Sequence, residues 1–149
     1  MAKRADSGTW TAVTGIIDPG EQPADAAARE VLEETGIVAV PERLAMVHVT
    51  DPVVYDNGDQ TQYLDLVLRF AWQSGVPCPA DGENTAADWF PLDDLPPMSD
   101  DMYKRIAVAV SDEPAAQYIF SPQSTGDACG ARHPGTGVDS LTSQCEGRP

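Results

Sequence analysis

Glu30, Glu33 and Glu34 stand close together in a stretch that also holds Arg29. If the segment from Pro23 to Glu34 is a helix, 100° per residue places the three carboxylates within about a 100° arc. Ala24, Ala28, Val31, Leu32 and Thr35 fall on the other side, so that face is expected to bury while the acidic face stays open. Like charges at this spacing repel, and the helix gains no stability from them. A bound cation removes the repulsion, and a set of oxygen ligands suits Mg²⁺ or Mn²⁺. Arg29 flanks the group and can orient a carboxylate through a two-pronged hydrogen bond. Taken from the helix alone, the same pattern also fits a solvated acidic face.

The elements that must position these side chains carry their own signals. Asp18-Pro19-Gly20-Glu21 reads as a turn leading into the helix, because Pro and Gly supply its two backbone restraints. Pro23 is tolerated in a first helical turn, and Gly36 stands where a left-handed cap ends the helix. Residues 10–17 read as a short extended segment, and 44–50 as a strand. Val53-Val54-Tyr55 and residues 61–72 read as two hairpin arms, with Asn57-Gly58 as the tight turn. The second arm alternates, with Leu64, Leu66, Leu68, Phe70 and Trp72 on one face. A polar loop is expected over 74–87, then a short strand at Trp89-Phe90. Ser99 can cap a last helix over 100–110, with Met102, Ile106, Ala107 and Val110 as its apolar stripe. From Ser121 onward Ser, Thr, Gly, Pro and Gln dominate. Such a segment buries too little to offset its ordering entropy, so 121–149 is expected to be a disordered tail.

The 149 residues amount to about one domain. A net charge of −15 disfavours nucleic-acid binding as the main role, because phosphate backbones are repelled. Acids gathered around cations reverse that sign locally, so a phosphorylated small molecule stays admissible. No apolar run approaches the ~20 residues of a membrane span, and no secretory signal is visible. Cys78, Cys129 and Cys145 are odd in number and widely spaced, which fits a reducing cytoplasm. Cys129, His133 and Cys145 match no common zinc spacing. Asp56, Asn57, Gly58 and Asp59 lack the 12-residue ligand pattern of a calcium loop and read as a turn. Tyr55 and Tyr63 are assigned to packing rather than base stacking.

Residues 15–37 read Gly-Ile-Ile-Asp-Pro-Gly-Glu-Gln-Pro-Ala-Asp-Ala-Ala-Ala-Arg-Glu-Val-Leu-Glu-Glu-Thr-Gly-Ile. This resembles the Nudix box, G-x5-E-x7-R-E-U-x-E-E-x-G-U with U aliphatic. The matches are Gly15, Glu21, Arg29, Glu30, Val31, Glu33, Glu34, Gly36 and Ile37. With average residue usage, chance agreement at a given start is on the order of one in 10⁹. Asp6-Ser-Gly-Thr-Trp10 resembles the lead-in of many members, and Trp89-Phe-Pro-Leu-Asp-Asp-Leu-Pro96 their segment after the variable loop. The likeness covers about residues 4–110. Val13-Thr14-Gly15 departs from the Pro-Gly-Gly that many members carry there.

The resemblance implies an α/β fold, an α/β/α sandwich around a mixed sheet, over a domain of residues 1–120. Members usually have a full strand before the position of Trp10. Ala2-Lys3-Arg4 reads as the end of one, so an N-terminal strand is expected to be missing. The implied activity is Mg²⁺-dependent hydrolysis of a nucleoside diphosphate linked to another moiety, with Mn²⁺ as a substitute. Glu30, Glu33, Glu34 and the Gly15 carbonyl would be metal ligands. Arg29 would position carboxylates with Glu21 as its partner. The proton acceptor would be a box glutamate, Glu33 or Glu34, or the variable loop's Glu83, for which a plain solvated carboxylate is the alternative. A homodimer would fit, since many relatives are dimers. The competing readings are a non-catalytic module that binds a nucleotide or a protein, and an inactive truncated product.

Overall fold

The computed structural model describes residues 1–119; the segment 121–149, with Cys129, His133 and Cys145, lies outside them. The elements run β1 (Ala2–Arg4), β2 (Trp10–Thr11), α1 (Pro23–Thr35), β3 (Val38–Val49), β4 (Val53–Val54), β5 (Gln60–Thr61), β6 (Leu64–Ser74), β7 (Asn84–Ala87), α2 (Asp100–Val110) and β8 (Gln117–Tyr118). One sheet is mixed: β3 pairs antiparallel with β6 and parallel with β8. A second is antiparallel, in the order β2-β1-β7. Both helices pack against β3 and β6. This is the α/β architecture expected from the sequence. Among the described residues no helix is long and apolar enough to cross a membrane.

Both helices form where their signals stand. Gly36 takes the left-handed conformation at φ 65°, and its N–H donates to the Leu32 carbonyl at 2.9 Å. Ser99 Oγ accepts from the Met102 N–H at 3.2 Å, which caps α2. The α2 stripe differs in part: Met102 is buried and Ile106 half-buried, but Ala107 and Val110 are exposed. Arg105 takes an inner position instead, paired with Asp65 at 3.1 Å. Asp65 also meets the buried His48 Nε2 at 2.7 Å, so the charge is satisfied between β3, β6 and α2.

The strands differ more. β3 begins six residues before the expected Leu44 and runs through Pro41, because the pairing shifts register between Pro41 and Arg43. A proline lacks the ladder N–H, and a bulge is where a strand tolerates it. The expected hairpin forms only as β4 with β5. Gly58 takes φ 88° at its turn, and the Tyr55 N–H donates to the Asp59 carbonyl at 2.9 Å. The long second arm is instead β6, which pairs along the whole of β3. On β6, Leu66, Leu68 and Phe70 are half-buried, while Leu64 and Trp72 at the ends are exposed. Tyr55 and Tyr63 bond hydroxyl to hydroxyl on the surface.

Trp89-Phe90 is not a strand. Phe90 is held by an edge-on contact with Trp10, with ring centroids 4.8 Å apart. The strand lies just upstream as β7, inside the segment expected to be a polar loop. Ala2–Arg4 is a short strand with partners on both sides, β2 and β7.

Candidate active site

The approach to α1 is built by the predicted turn. Gly20 takes φ 91°, and the Glu21 N–H closes the turn on the Asp18 carbonyl at 3.0 Å. Proline at the second position and glycine at the third are the residues such a turn requires. The turn delivers the Glu21 carboxylate to Arg29, which donates from Nε at 3.0 Å and from Nη2 at 3.0 Å. Arg29 then spends Nη1 on Glu30 at 2.9 Å and on Glu33 at 3.0 Å. Its Nη2 also reaches the Ile16 carbonyl at 3.3 Å. One guanidinium therefore gathers three carboxylates and the loop before the helix. Hydrogen bonds to Glu21, Glu30 and Glu33 raise the pKa of Arg29 well above its ordinary value. The same contact holds Glu21 below the usual carboxylate range.

Gly15 lies against Glu30. A Cβ at Gly15 would overlap the Glu30 side chain, so only glycine leaves room for that carboxylate beside the loop. Gly15 and Glu30 are thus brought together, as the sequence suggested.

Glu34 departs from expectation. It was placed on an open acidic face, yet it is only 7% exposed, while Leu32, placed on the buried face, is 48% exposed. Ala26 and Thr35 are buried with Glu34. The buried arc of α1 therefore takes in Glu34 as well as Thr35, which was expected inside. Glu33 remains outside, with a side chain 53% exposed.

The loop after β6 closes over this end of α1. The Cys78 N–H donates to the Thr35 carbonyl at 3.0 Å, and the Ala80 N–H to the Glu34 carbonyl at 3.4 Å. These donors satisfy carbonyls that a helix end leaves unpaired. The loop then turns at Asp81, whose Oδ1 accepts from the Glu83 N–H at 2.9 Å. The Glu83 carbonyl accepts from the Ala5 N–H at 2.8 Å, which fixes the loop to the residue after β1.

Burial raises the pKa of Glu34, the Asn84 amide counters it, and Asp81, Glu30 and Glu83 raise it further. Glu83, singled out from the sequence, is thus within electrostatic reach of Glu34, and its side chain is exposed. Asp81 and Asn84 were missed. Both sat in what read as a polar loop, and no periodicity marked them. The charge of Arg4 is stabilised first by Asp6, with Glu34 and Glu83 adding to it.

Among the described residues, no three His, Cys, Asp or Glu side chains form a ready-made metal cage. Arg29 is bonded to Glu30 and Glu33, and Asn84 to Glu34. The donor set nonetheless suits a hard divalent cation. It is all oxygen, it includes a buried carboxylate without an ion pair among the described residues, and it has the glycine cradle beside Glu30.

Comparison with known proteins bears on this arrangement. A "MutT-like protein" of Streptomyces ambofaciens is 36% identical over 93 residues, covering 62% of this chain and 54% of that protein. An NAD-capped RNA hydrolase of Vibrio cholerae is 31% identical over 108 residues, covering 64% of this chain and 33% of the relative. An 8-oxo-dGDP phosphatase of Homo sapiens is 32% identical over 95 residues, covering 64% and 28%. This chain spans about half the length of the first relative and about a third of the other two. The NUDIX domain model matches residues 1–110, taking in the turn, α1, β7 and α2 together, and by that match the chain belongs to the Nudix family.

Proposed function

We propose that this chain hydrolyses the diphosphate linkage of a nucleoside diphosphate joined to another moiety, releasing a nucleoside monophosphate. The observation that carries the proposal is Glu34. A carboxylate buried at a helix end, beside three further acids, hydrogen-bonded to a neutral amide and with only the charge of Arg4, itself paired with Asp6, acting on it, is costly unless a cation joins it. The relatives named for action on NAD-capped RNA and on 8-oxo-dGDP support the class, since both substrates carry diphosphate-linked nucleosides. A net charge of −15 weighs against holding the body of an RNA, so we assign a small nucleotide derivative. ADP-ribose, other sugar nucleotides and nucleoside triphosphates all have the required bond.

The ligands we assign to Mg²⁺, or to Mn²⁺ in its place, are Glu30, Glu33, Glu34 and the Gly15 carbonyl. A metal held there would neutralise the diphosphate oxygens and acidify a water. The chain's own residues do the rest. Arg29, locked to Glu21, orients Glu30 and Glu33. Glu33 stands at the open side with Arg29 as its partner. A carboxylate takes the proton of the attacking water as its oxygen bonds to phosphorus and the bridging P–O bond breaks. We assign that step to Glu83 or Glu33, since Glu34, the third candidate, has one oxygen on Asn84 and the other assigned to the cation. The exposed, unpaired Cys78 fits work in the reducing cytoplasm.

The test is hydrolysis of a nucleotide panel with Mg²⁺ or Mn²⁺, comparing the chain with Glu34→Gln. Turnover is expected only with the cation. The variant should lose on the order of 100-fold or more in kcat, as when one preorganised electrostatic group is removed. Nucleotide binding without turnover in a folded protein would instead assign a non-catalytic module.

A further inference from the structure

The Asn84 side chain donates from Nδ2 to Glu34 Oε2 at 3.0 Å, across fifty residues of chain. Both side chains are buried, each residue 7% exposed. Among the described residues this is the sole hydrogen bond to the Glu34 carboxylate, and Oε1 has no donor.

Asn84 is aimed there by the backbone. β7 pairs with β1 through Ala2↔Ala87 and Lys3↔Ala86, then jumps to Arg4↔Asn84. The extra residue, Thr85, is exposed, and Asn84 turns inward. A bulge re-aims a side chain in this way without breaking the strand.

Three acids already bear on Glu34: Asp81, Glu30 and Glu83. An Asp at position 84 would add a fourth negative charge. A Lys or Arg would pair with the carboxylate and compete with a cation. The neutral amide holds one oxygen and adds no charge of either sign.

We infer that, on the hydrolase reading proposed above, Asn84 is the positioning residue of the acidic site, holding one oxygen of Glu34 and leaving the other for the cation. It touches neither substrate nor reacting atoms, and it acts through Glu34 as outer groups act on metal ligands.

The experiment is Mn²⁺ binding, read from the electron paramagnetic resonance signal of free Mn²⁺. It compares the full chain with Asn84→Ala, Asn84→Leu, Glu34→Gln and Asn84→Ala/Glu34→Gln. Asn84→Ala is expected to weaken Mn²⁺ binding by about 10- to 100-fold. In the Glu34→Gln background it should weaken binding no further, because the partner is already gone. Asn84→Leu keeps nearly the same volume in β7 and should show the same loss, so a failure of Asn84→Ala to fold does not end the test. Wild-type affinity in the folded Asn84 variants overturns the inference, as does an equal loss in both backgrounds. If Glu34→Gln itself binds Mn²⁺ like the wild type, the reading of the acidic site fails as well. If Glu34→Gln is weak and the Asn84 variants are not, only the role of Asn84 fails.

Discussion

The two helices of this chain both carry acids in their first turns, Asp25 in α1 and Asp100 and Asp101 in α2, but differ at their far ends. α2 begins with Ser99 as a side-chain cap and carries Asp100 and Asp101 in its first turn. At its other end Arg43 Nη2 donates to the carbonyls of Val108 at 3.0 Å, Ala109 at 3.2 Å and Ser111 at 2.8 Å. Acids at the start and a cation at the end are what a helix dipole favours. α1 begins at Gln22, which makes no side-chain cap, and ends on Glu33 and Glu34 with no basic residue in its last turn. Each misplaced charge costs a few tenths of a kcal/mol to about 1 kcal/mol. α2 is arranged for stability. α1 gives up stability at the end where the acids gather, and a local rule broken at one place in an otherwise consistent fold marks function.

Several substitutions can break or sharpen that contrast. The largest effect is expected at Arg29, the one base that organises the acids of α1. Arg29→Ala should cut kcat/KM by about 100-fold, the scale set by misplaced catalytic groups, and should also lower the melting temperature. Steady-state kinetics with a melting curve checks both. A variant that keeps its activity would remove Arg29 from the site. Next comes Gly15→Ala, whose added Cβ must displace Glu30. Isothermal titration should show Mn²⁺ bound about 10-fold more weakly, with helix content by circular dichroism unchanged. The smallest effects belong to the caps. Ser99→Ala should cost about 1 kcal/mol in chemical denaturation and leave hydrolysis untouched. Gln22→Ser should gain about 0.5 kcal/mol by supplying the cap that α1 lacks. Lost activity in either cap variant would mean that the helices do not divide stability and chemistry as described.

What the sequence made legible followed from backbone chemistry. Pro19 has its φ fixed by its ring, and Gly20 and Gly36 reach the positive φ that other residues avoid, so the turn and the helix end formed where they stand. Ser99 marked the start of α2 because its hydroxyl accepts from a first-turn N–H. The spacing of Gly15, Glu21, Arg29 and Glu30 also carried over, because each meets its expected neighbour. The buried face of α1 was legible only in part: Thr35 is buried and Ala24, Ala28 and Val31 are half-buried, as expected. Apolar periodicity assigns Leu32 inward and Glu34 outward, whereas Leu32 is exposed and Glu34 is buried against Asn84 of β7. β7 escaped notice because backbone pairing with β1, not an apolar pattern, makes it a strand. Asn84 escaped with it. Its role depends on a bulge opposite a strand more than eighty residues earlier, which no local window contains. β3 was expected only from Leu44, whereas it starts at Val38 and passes through Pro41, where a register shift accommodates the missing N–H.

The central claim is that the acidic end of α1 is unstable by itself and is completed by a cation. Burial first, and then the neighbouring acids, lift the pKa of Glu34 in the folded protein. A group raised in this way favours folding while protonated, and that contribution is lost as pH rises through the raised value. At neutral pH without cation, the ionised Glu34 therefore works against the fold, and Glu34→Gln should melt a few degrees higher than the wild type. The gap should close as pH falls below the carboxylate range. With Mn²⁺ at about 100 times its Kd, the wild type should gain about 2.7 kcal/mol while the variant gains little. The order of the two melting temperatures, measured at neutral pH with and without Mn²⁺, should therefore reverse. If the order stays the same in both conditions, α1 does not hold a cation through Glu34 and the account is wrong.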